Sequence, residues 1–520
     1  MAVEQAVEAR LDLLRQQLKA SRESEPSRRW AVLKESGLLL TYAPLPEYNP
    51  PGTLSQAAAN VYVPDSALEE ASLCLLLSSE ASPQEFAANR ALCWHLCLAL
   101  GLGRQHRYLA HALSKASLSQ RTHPLEWRTQ AQALVAAGEA PRASLCLRAL
   151  LEEQSRDPVT LLLSVKASLQ VGGDALKDAV QFARQAVSAT EGSSSVMRAK
   201  AHVALGVALG SAAGAAFALP QTDRAAYLEE ALVVLQAAVD MDPGDANALY
   251  NLALLQAEAR QLPAALRSCR AALAASAGTH AASWALLALV LSAQQRIPMA
   301  LAVADAGLAE AGPLYESLLL KIKARLHVAA GEPAVALRSL AHLMARVQRA
   351  LTSEDKQREE RRQALRKQES DLWLELARTF LAQQQTEDAR FCVRQAKNLM
   401  PWSPAAHHME GRVAQEDGNM DQAIQYYETA LAVNLYYAKS ALFLGRLYRK
   451  RGGPYDLTLA QAHLADGLRY EPHRHLGWYN LGMVYKAQQR HDDAERCLRT
   501  SVGLVLTAPV MSFNKLPRIL

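Results

Sequence analysis

WYNLGMVYKAQQRHDDAERCL, residues 478–498, sets Trp478, Leu481, Gly482 and Tyr485 before a short polar break and Ala494 and Leu498 after it. Apolar and small residues at three- and four-residue steps on both sides of a polar break describe two amphipathic helices joined by a turn. The spacing recurs upstream. A step of 37 residues reaches Leu444, Gly445 and Tyr448, then Ala460, Leu464, Gly467 and Pro472; the three extra residues are assigned to the turn RGGPYDL, 451–457. A further step of 34 reaches Gly411, Ala423, Tyr427 and Ala430, and another 34 reaches Trp373, Leu376, Ala377, Phe380, Ala389, Val393, Ala396 and Pro401. A period of this length is the mark of a stacked helical array.

W-x2-L-G-x2-Y followed by a small residue twelve positions after the glycine is the pattern of a tetratricopeptide repeat. The residue types have physical causes. A small residue on each helix lets the pair approach, the large residues fill the gaps between neighbouring pairs, and a closing proline suits the junction where one helix ends and the next begins. One pair cannot bury its apolar face, so stacking is obligatory. The structural positions read this way are Trp373, Ala377, Ala389, Gly411, Ala423, Gly445, Ala460, Trp478, Gly482, Tyr485 and Ala494. The period continues upstream through Leu252, Ala253, Ala265 and Cys269, through Trp284, Ala288, Ala300 and Gly307, and through Ala324, Ala336 and Leu340. Leu205, Gly206 and Leu209 open a unit whose turn is swollen by about a dozen residues, SAAGAAFALPQTD among them, before Ala231, Leu235 and Ala238. Weaker matches run back to Trp127. The expected fold is all-α: a superhelical solenoid of antiparallel helix pairs.

Composition agrees. Half of the 520 residues are hydrophobic and only 6% are aromatic, as closely packed, alanine-rich helices require. A net charge of +5, from 56 basic and 51 acidic residues, describes a mixed surface without the clustered basic face and stacking aromatics of a nucleic-acid binder. The seven cysteines are odd in number and mostly far apart, a usage that predicts a reducing compartment. Cys93 and Cys97 with His95 between them lack a second ligand pair, and the flanking ALCWHLCLAL reads as a packed apolar face. His407-His408 and His473-x-His475 lie at helix starts and likewise lack further ligands. No phosphate loop, H-E-x-x-H, C-x-x-C or G-x-S-x-G occurs, and no carboxylate pair stands out for acid–base work. The reading is a protein without catalytic, cofactor-binding or metal residues. No segment reads as a bilayer span, and neither Gly at position 2 nor a C-terminal C-a-a-X box is present.

The organisation expected is an N-terminal helical segment at 1–40, a linker with five prolines at 41–65, degenerate repeats at 66–351, a charged insert at 352–370, a strong repeat block at 371–507 and an apolar tail at 508–520. The insert holds six basic and five acidic residues without apolar periodicity and reads as a solvated helix extension or a flexible insert. Two segments each admit two readings. Leu337, Leu340, Met344, Val347 and Leu351 form one face of a helix that also carries Arg338, His342, Arg346 and Arg349. Such a helix is a calmodulin target or, as the repeat phase favours, the packed second helix of a repeat. The tail TAPVMSFNKLPRIL either folds back as a cap, the favoured reading, or docks into a partner.

Beyond the generic repeat, the chain resembles the tetratricopeptide repeat protein 7 family and its plant relatives, the No Pollen Germination calmodulin-binding proteins. The resemblance runs from about Asn60 to Leu520. It is carried by NVYVPDSALEEASLCLLLSSEA, AKAHVALGVALG, ANALYNLALLQAEARQLPAAL, SWALLALVLSAQQRIPMAL and the terminal PRIL. Full members have a longer helical region ahead of this part, so the expectation is a short member or an incomplete chain. The resemblance implies a scaffold that assembles and recruits a phosphatidylinositol 4-kinase alpha complex at the plasma membrane. There it joins the lipid kinase to a hyccin-type subunit and a lipid-anchored membrane protein. The plant relatives imply a second role, as a calmodulin-binding adaptor. The implied location is cytoplasmic, peripheral at the plasma membrane through a partner.

Overall fold

A computed structural model describes residues 9–17, 26–42, 66–81, 90–103, 105–117, 124–153, 157–215, 221–310, 312–353 and 359–520. Most of the proline-rich linker expected at 41–65 lies outside them. Among the described residues every regular element is a helix and no strand occurs. The chain forms two compact units, Met1–Ser193 and Ser194–Leu520.

The first unit contains α1 (9–17), α2 (Pro26–Tyr42), α3 (Ala67–Ala81), α4 (Arg90–Leu102), α5 (His106–Ser117), α6 (Pro124–Ala137), α7 (Ala140–Glu153), α8 (Pro158–Val171) and α9 (Ala175–Ala189). Leu75, Leu92, Leu96, Leu100, Leu134 and Leu147 form its core with Ala71, Ala99, Ala131 and Ala143. Cys97 and His95 are half-buried on α4.

The second unit is a run of helix pairs: α10 (Ser195–Gly214) with α11 (Gln221–Met241), α12 (Ala246–Glu258) with α13 (Leu262–Ala275), α14 (Ala281–Ala293) with α15 (Ile297–Glu310), and α16 (Pro313–Ala329) with α17 (Pro333–Ser353). It continues through α18 (Glu359–Ala382) with α19 (Thr386–Leu399), α20 (Pro404–Glu416) with α21 (Met420–Val433), α22 (Ala438–Arg451) with α23 (Pro454–Tyr470), and α24 (His475–Ala487) with α25 (His491–Leu506). Several pairs turn at a residue of positive φ. Gly331 and Gly418 supply it in two turns, and Arg260, Gln295, Gln384 and Gln489, at φ 60–62°, supply it in four others. A left-handed residue there closes the helix by satisfying its last carbonyls, at some cost where the residue has a side chain.

The three extra residues near 451–457 do not swell the turn. They lengthen α23, which has 17 residues where α19 and α21 have 14. Pro454 is already in the helix, whose first turn also holds Asp456, and both features start a helix early. The insertion after Leu209 is absorbed in the same way at its ends, residues 211–214 extending α10 and 221–223 opening α11; residues 216–220 lie outside the described set. The charged stretch 352–370 is helical from Glu359 onward and continuous with the first helix of the next repeat. Its last turns are held by neighbours: Gln348 Nε2 donates to Glu369 Oε1 at 3.0 Å and Ser370 Oγ to the Ala396 carbonyl at 3.1 Å.

First and second helices differ in burial. On α13 only Leu262, Ala265, Cys269 and Ala272 are buried, a single stripe. On α14 nearly every residue from Ala282 to Ala293 is buried. A first helix packs on its own pair and both neighbours, and its remaining side is the inner face of the array. That inner side is covered here as well, by the chain's own C-terminus.

Candidate interaction surfaces

The last residues leave α25, fold back and run along the first helices of earlier repeats. Met511, Phe513 and Leu516 are buried in one core with Leu249, Tyr250, Leu286, Val290, Leu319 and Ile322. Polar contacts fix the backbone of the tail along its length. Arg260 Nη1 donates to the Thr507 carbonyl at 2.6 Å, the Val510 N–H donates to Ser292 Oγ at 3.2 Å, and Arg325 Nη1 donates to the Val510 carbonyl at 3.3 Å. Tyr250 Oη donates to the Pro517 carbonyl at 2.7 Å. The Asn251 amide grips Ile519 twice, donating to its carbonyl at 2.6 Å and accepting from its N–H at 3.2 Å. Arg518 pairs with Glu258 at 2.7 Å, both side chains being 13% exposed. Burial pushes the Glu258 carboxyl up, and the guanidiniums of Arg518 and Arg224 oppose it. The tail therefore folds back, but onto repeats 185 to 268 residues earlier and not over the exposed end of the last pair, where Val502, Val505 and Leu506 stay in solvent.

Beyond the tail-covered stretch the inner face changes character. His408 is buried among Tyr427, Tyr437 and Phe443, with ring centroids 5.1–5.7 Å away, and its Nδ1 lies 3.2 Å from Ser440 Oγ. Burial, then the cations Lys439, Arg412, Arg378 and Arg474, hold this imidazole well below the usual histidine range, so it is neutral at pH 7. Glu375 is clamped by Arg325 at 2.5 Å and Arg378 at 2.5 Å. Burial opposes its ionisation, but the two guanidiniums outweigh that and hold the carboxyl well below the usual carboxylate range. Between these groups lies a cavity of about 260 Å³ whose wall includes Lys439 and, from the tail, Met511 and Lys515.

A third surface lies on the edge where one pair connects to the next. Trp402 is 82% exposed, Tyr436 is 44% exposed and Tyr470 follows at the same step of 34 residues. Tyr436 and Tyr470 meet edge to face at 5.5 Å. Leu435, 73% exposed, extends the apolar rim. Two exposed aromatics and a half-buried third, Tyr470, in repeat register are the kind of patch that marks a protein contact.

The repeat positions read from sequence sit at helix contacts. A Cβ at Gly411 would lie 2.5 Å from the Tyr427 ring, one at Gly445 2.6 Å from Leu464 Cγ, and one at Gly482 2.9 Å from Leu498 Cγ. Ala377, Ala389, Ala423 and Ala460 are fully buried and Ala494 nearly so. Trp373 meets Phe391 edge to face at 6.1 Å, and Tyr485 lies under Arg490 at 4.4 Å. Trp478 donates to the Pro472 carbonyl at 2.6 Å, as Trp284 does to the Gly278 carbonyl at 2.8 Å, tying each first helix to the turn before it. On α17, Leu340, Met344 and Val347 are buried and Leu337 and Leu351 pack at the edge of the same core, while Arg346 pairs with Glu316. The face that would have to meet calmodulin is packed against α16 and α18. His407 lies 3.0 Å from Glu410 Oε2. Among the described residues no three metal-ligating side chains converge, and no helix is long and apolar enough to cross a membrane.

The sequence reading missed Tyr250, Asn251, Glu258 and Lys439. One signal was present: Asn251 sits inside a run of apolar inner-face residues, and a buried amide needs partners.

Tetratricopeptide repeat models match residues 224–280, 408–453 and 477–504. The chain is similar to protein NPGR2 of Arabidopsis thaliana, 28% identical with 94% of this chain and 66% of that protein covered. It is similar to protein NPG1 of the same plant, 29% identical over 90% of this chain and 67% of that protein. It is also similar to human tetratricopeptide repeat protein 7B, 27% identical over 89% of this chain and 62% of that protein. The chain spans about two thirds of the length of these relatives. Among solved structures, yeast Tom70 aligns with 92% of this chain and 93% of its own, at 12% identity and a TM-score of 0.43. The resemblance read from sequence and the all-α repeat fold both stand.

Proposed function

We propose that this chain is a non-catalytic protein-binding scaffold that helps assemble a phosphatidylinositol 4-kinase alpha complex and recruit it to the plasma membrane. The observation that carries the reading is the match to tetratricopeptide repeat protein 7B and the NPG proteins over about nine-tenths of the chain. The partners are a lipid kinase, a hyccin-type subunit and a lipid-anchored membrane protein. Because the tail occupies the inner face from α12 to α16, these partners use other surfaces, the aromatic edge at Trp402, Tyr436 and Tyr470 first among them. The test is co-expression with the kinase and a hyccin-type subunit. Co-elution that weakens in a Trp402→Ala, Tyr436→Ala variant is expected; a kinase that elutes alone overturns the reading. Membrane attachment is borrowed from the anchored partner, since one weak electrostatic contact does not hold a protein at a bilayer. The purified chain leaves neutral vesicles unbound, and tight salt-resistant binding to vesicles contradicts the scheme.

A second reading, a calmodulin-binding adaptor of the NPG type, rests on the basic amphipathic α17. A free peptide of residues 337–351 binds calmodulin with calcium, and the intact chain binds more weakly because the same apolar face is packed. Calorimetry on the peptide that shows no heat removes this reading.

A further inference from the structure

The inner face between α16 and α22 gathers an excess of positive charge. Lys321, Arg378, Lys439 and Lys515 line the cavity, against Asp371 and Glu375. Glu375 is already committed to Arg325 and Arg378. Just outside, Arg474 bonds Glu471 at 2.5 Å. Lys321, Lys439 and Lys515 have neither a hydrogen-bond acceptor nor an ion-pair partner among the described residues; Lys439 Nζ lies over the Tyr437 ring, 5.9 Å from its centroid. Lys321 and Lys439 are half-buried and Lys515 is exposed at the rim, and like charges gathered on one half-buried wall without partners are costly. Burial, then Lys515, Arg474 and Arg378, push the Lys439 amine down to about 7, and burial, then Arg325, push Lys515 down as well. A cavity of about 260 Å³ has room for several waters, at ~30 Å³ each, or for a small polyatomic anion.

We propose that this cavity is a binding site for a small multiply charged anion of the phosphate class, and that the anion fastens the C-terminal tail to the inner face. Lys439 and Lys321 come from the solenoid and Lys515 from the tail, so one ligand bridges both. Charge-assisted hydrogen bonds from several cations to one tetrahedral oxyanion are strong, and they turn a repulsive cluster into a satisfied one. A dianion or trianion fits the excess of cations better than a single carboxylate does. The chemistry is distinct from the scaffold role and does not depend on it.

The test uses the full chain and two probes, inorganic phosphate and inorganic pyrophosphate, with citrate as the carboxylate control. Calorimetry is expected to show saturable pyrophosphate binding that falls about tenfold or more in Lys439→Met and in Lys515→Met, as loss of a charge-assisted bond predicts. It should be unchanged in Lys450→Met, which alters an exposed cation. The ligand-free Lys439→Met variant should melt no lower than the native chain, because it removes an unpaired, half-buried charge, so folding does not confound the result. Hydrogen exchange of residues 508–520 should slow when pyrophosphate is added. Absence of saturable binding at millimolar pyrophosphate, or equal binding by the lysine variants, overturns the site. Citrate binding as tightly as pyrophosphate overturns the phosphate assignment, and binding without slower exchange in the tail overturns the fastening.

Discussion

Helices α14 and α22 hold the same place in their repeats, yet their inner faces have little in common. In α14, AASWALLALVLSA carries no charged residue and nearly all of it is buried. In α22, AKSALFLGRLYRKR carries Lys439, Arg446, Arg449, Lys450 and Arg451. At the contact with the second helix the two are equivalent: Ala288 and Gly445 both allow close approach, facing Ala300 and Ala460. Helix pairing therefore constrains one side of each first helix and leaves the inner side free. In the central repeats that freedom is used to seat the tail on apolar surface. In the C-terminal repeats it is used to hold cations, aromatics and a cavity.

The sharpest way to break this contrast is to delete residues 508–520. Met511, Phe513 and Leu516 are 3–4% exposed, and full burial of such side chains contributes about 1.5–3 kcal/mol each, an upper estimate because unfolded chains are already partly compact. The expected loss is about 5 kcal/mol, read by denaturant unfolding. Hydrogen-exchange protection should fall in α12 and α14 and persist in α24 and α25. Equal loss in both regions would mean that the tail does not act locally.

The converse perturbation is Gly445→Trp or Gly482→Trp, with an expected cost of about 1–3 kcal/mol or more from overpacking. It should loosen α22–α25 and spare α12–α15. Unchanged melting would place both glycines away from a helix contact.

A smaller effect is expected for Asn251→Leu. It leaves the Ile519 N–H and carbonyl without the amide that pairs them, at about 1–3 kcal/mol. Faster proteolysis of the tail should accompany it, with α20–α23 unaffected.

The smallest effect is pH dependence. The Lys439 amine faces Lys515, Arg474, Arg378 and His408, with Glu471 as its carboxylate neighbour, and sits at about 7 in the folded chain against ~10.4 when unfolded. Between those values the unfolded chain holds a proton that the native chain releases, so the contribution of Lys439 to stability rises as pH goes from 7 toward 8.5. Below pH 7 both forms are protonated and the penalty is complete. Lys439→Met should flatten this rise in melting temperature; an identical slope in the variant would exclude Lys439 as its source.

The repeat register was legible in sequence because helix contact imposes it. Only Gly or Ala fits at 377, 411, 445 and 482, and the constraint repeats every 34 to 37 residues. Insertions were harder to place. Near residue 453 the extra residues read as turn, yet Pro454 and Asp456 start the helix early and α23 takes them up. The charged 359–370 stretch reads as solvated, yet Glu369 and Ser370 are 9% and 3% exposed because neighbouring helices supply their hydrogen bonds.

By itself, then, the sequence determined the helices, their pairing and their stacking, since these follow from short-range periodicity and from the size of side chains at fixed spacing. The tail was legible only as too apolar to remain in solvent. Its seat, from Arg260 and Asn251 to Arg325, joins residues about 185 to 268 positions apart, and no local pattern encodes a contact that the curvature of the array creates. The cation cluster has the same origin. Lys321, Arg378, Lys439 and Lys515 are scattered along the chain and ordinary one by one, and only the packing of first helices against the returning tail brings them to the wall of one cavity.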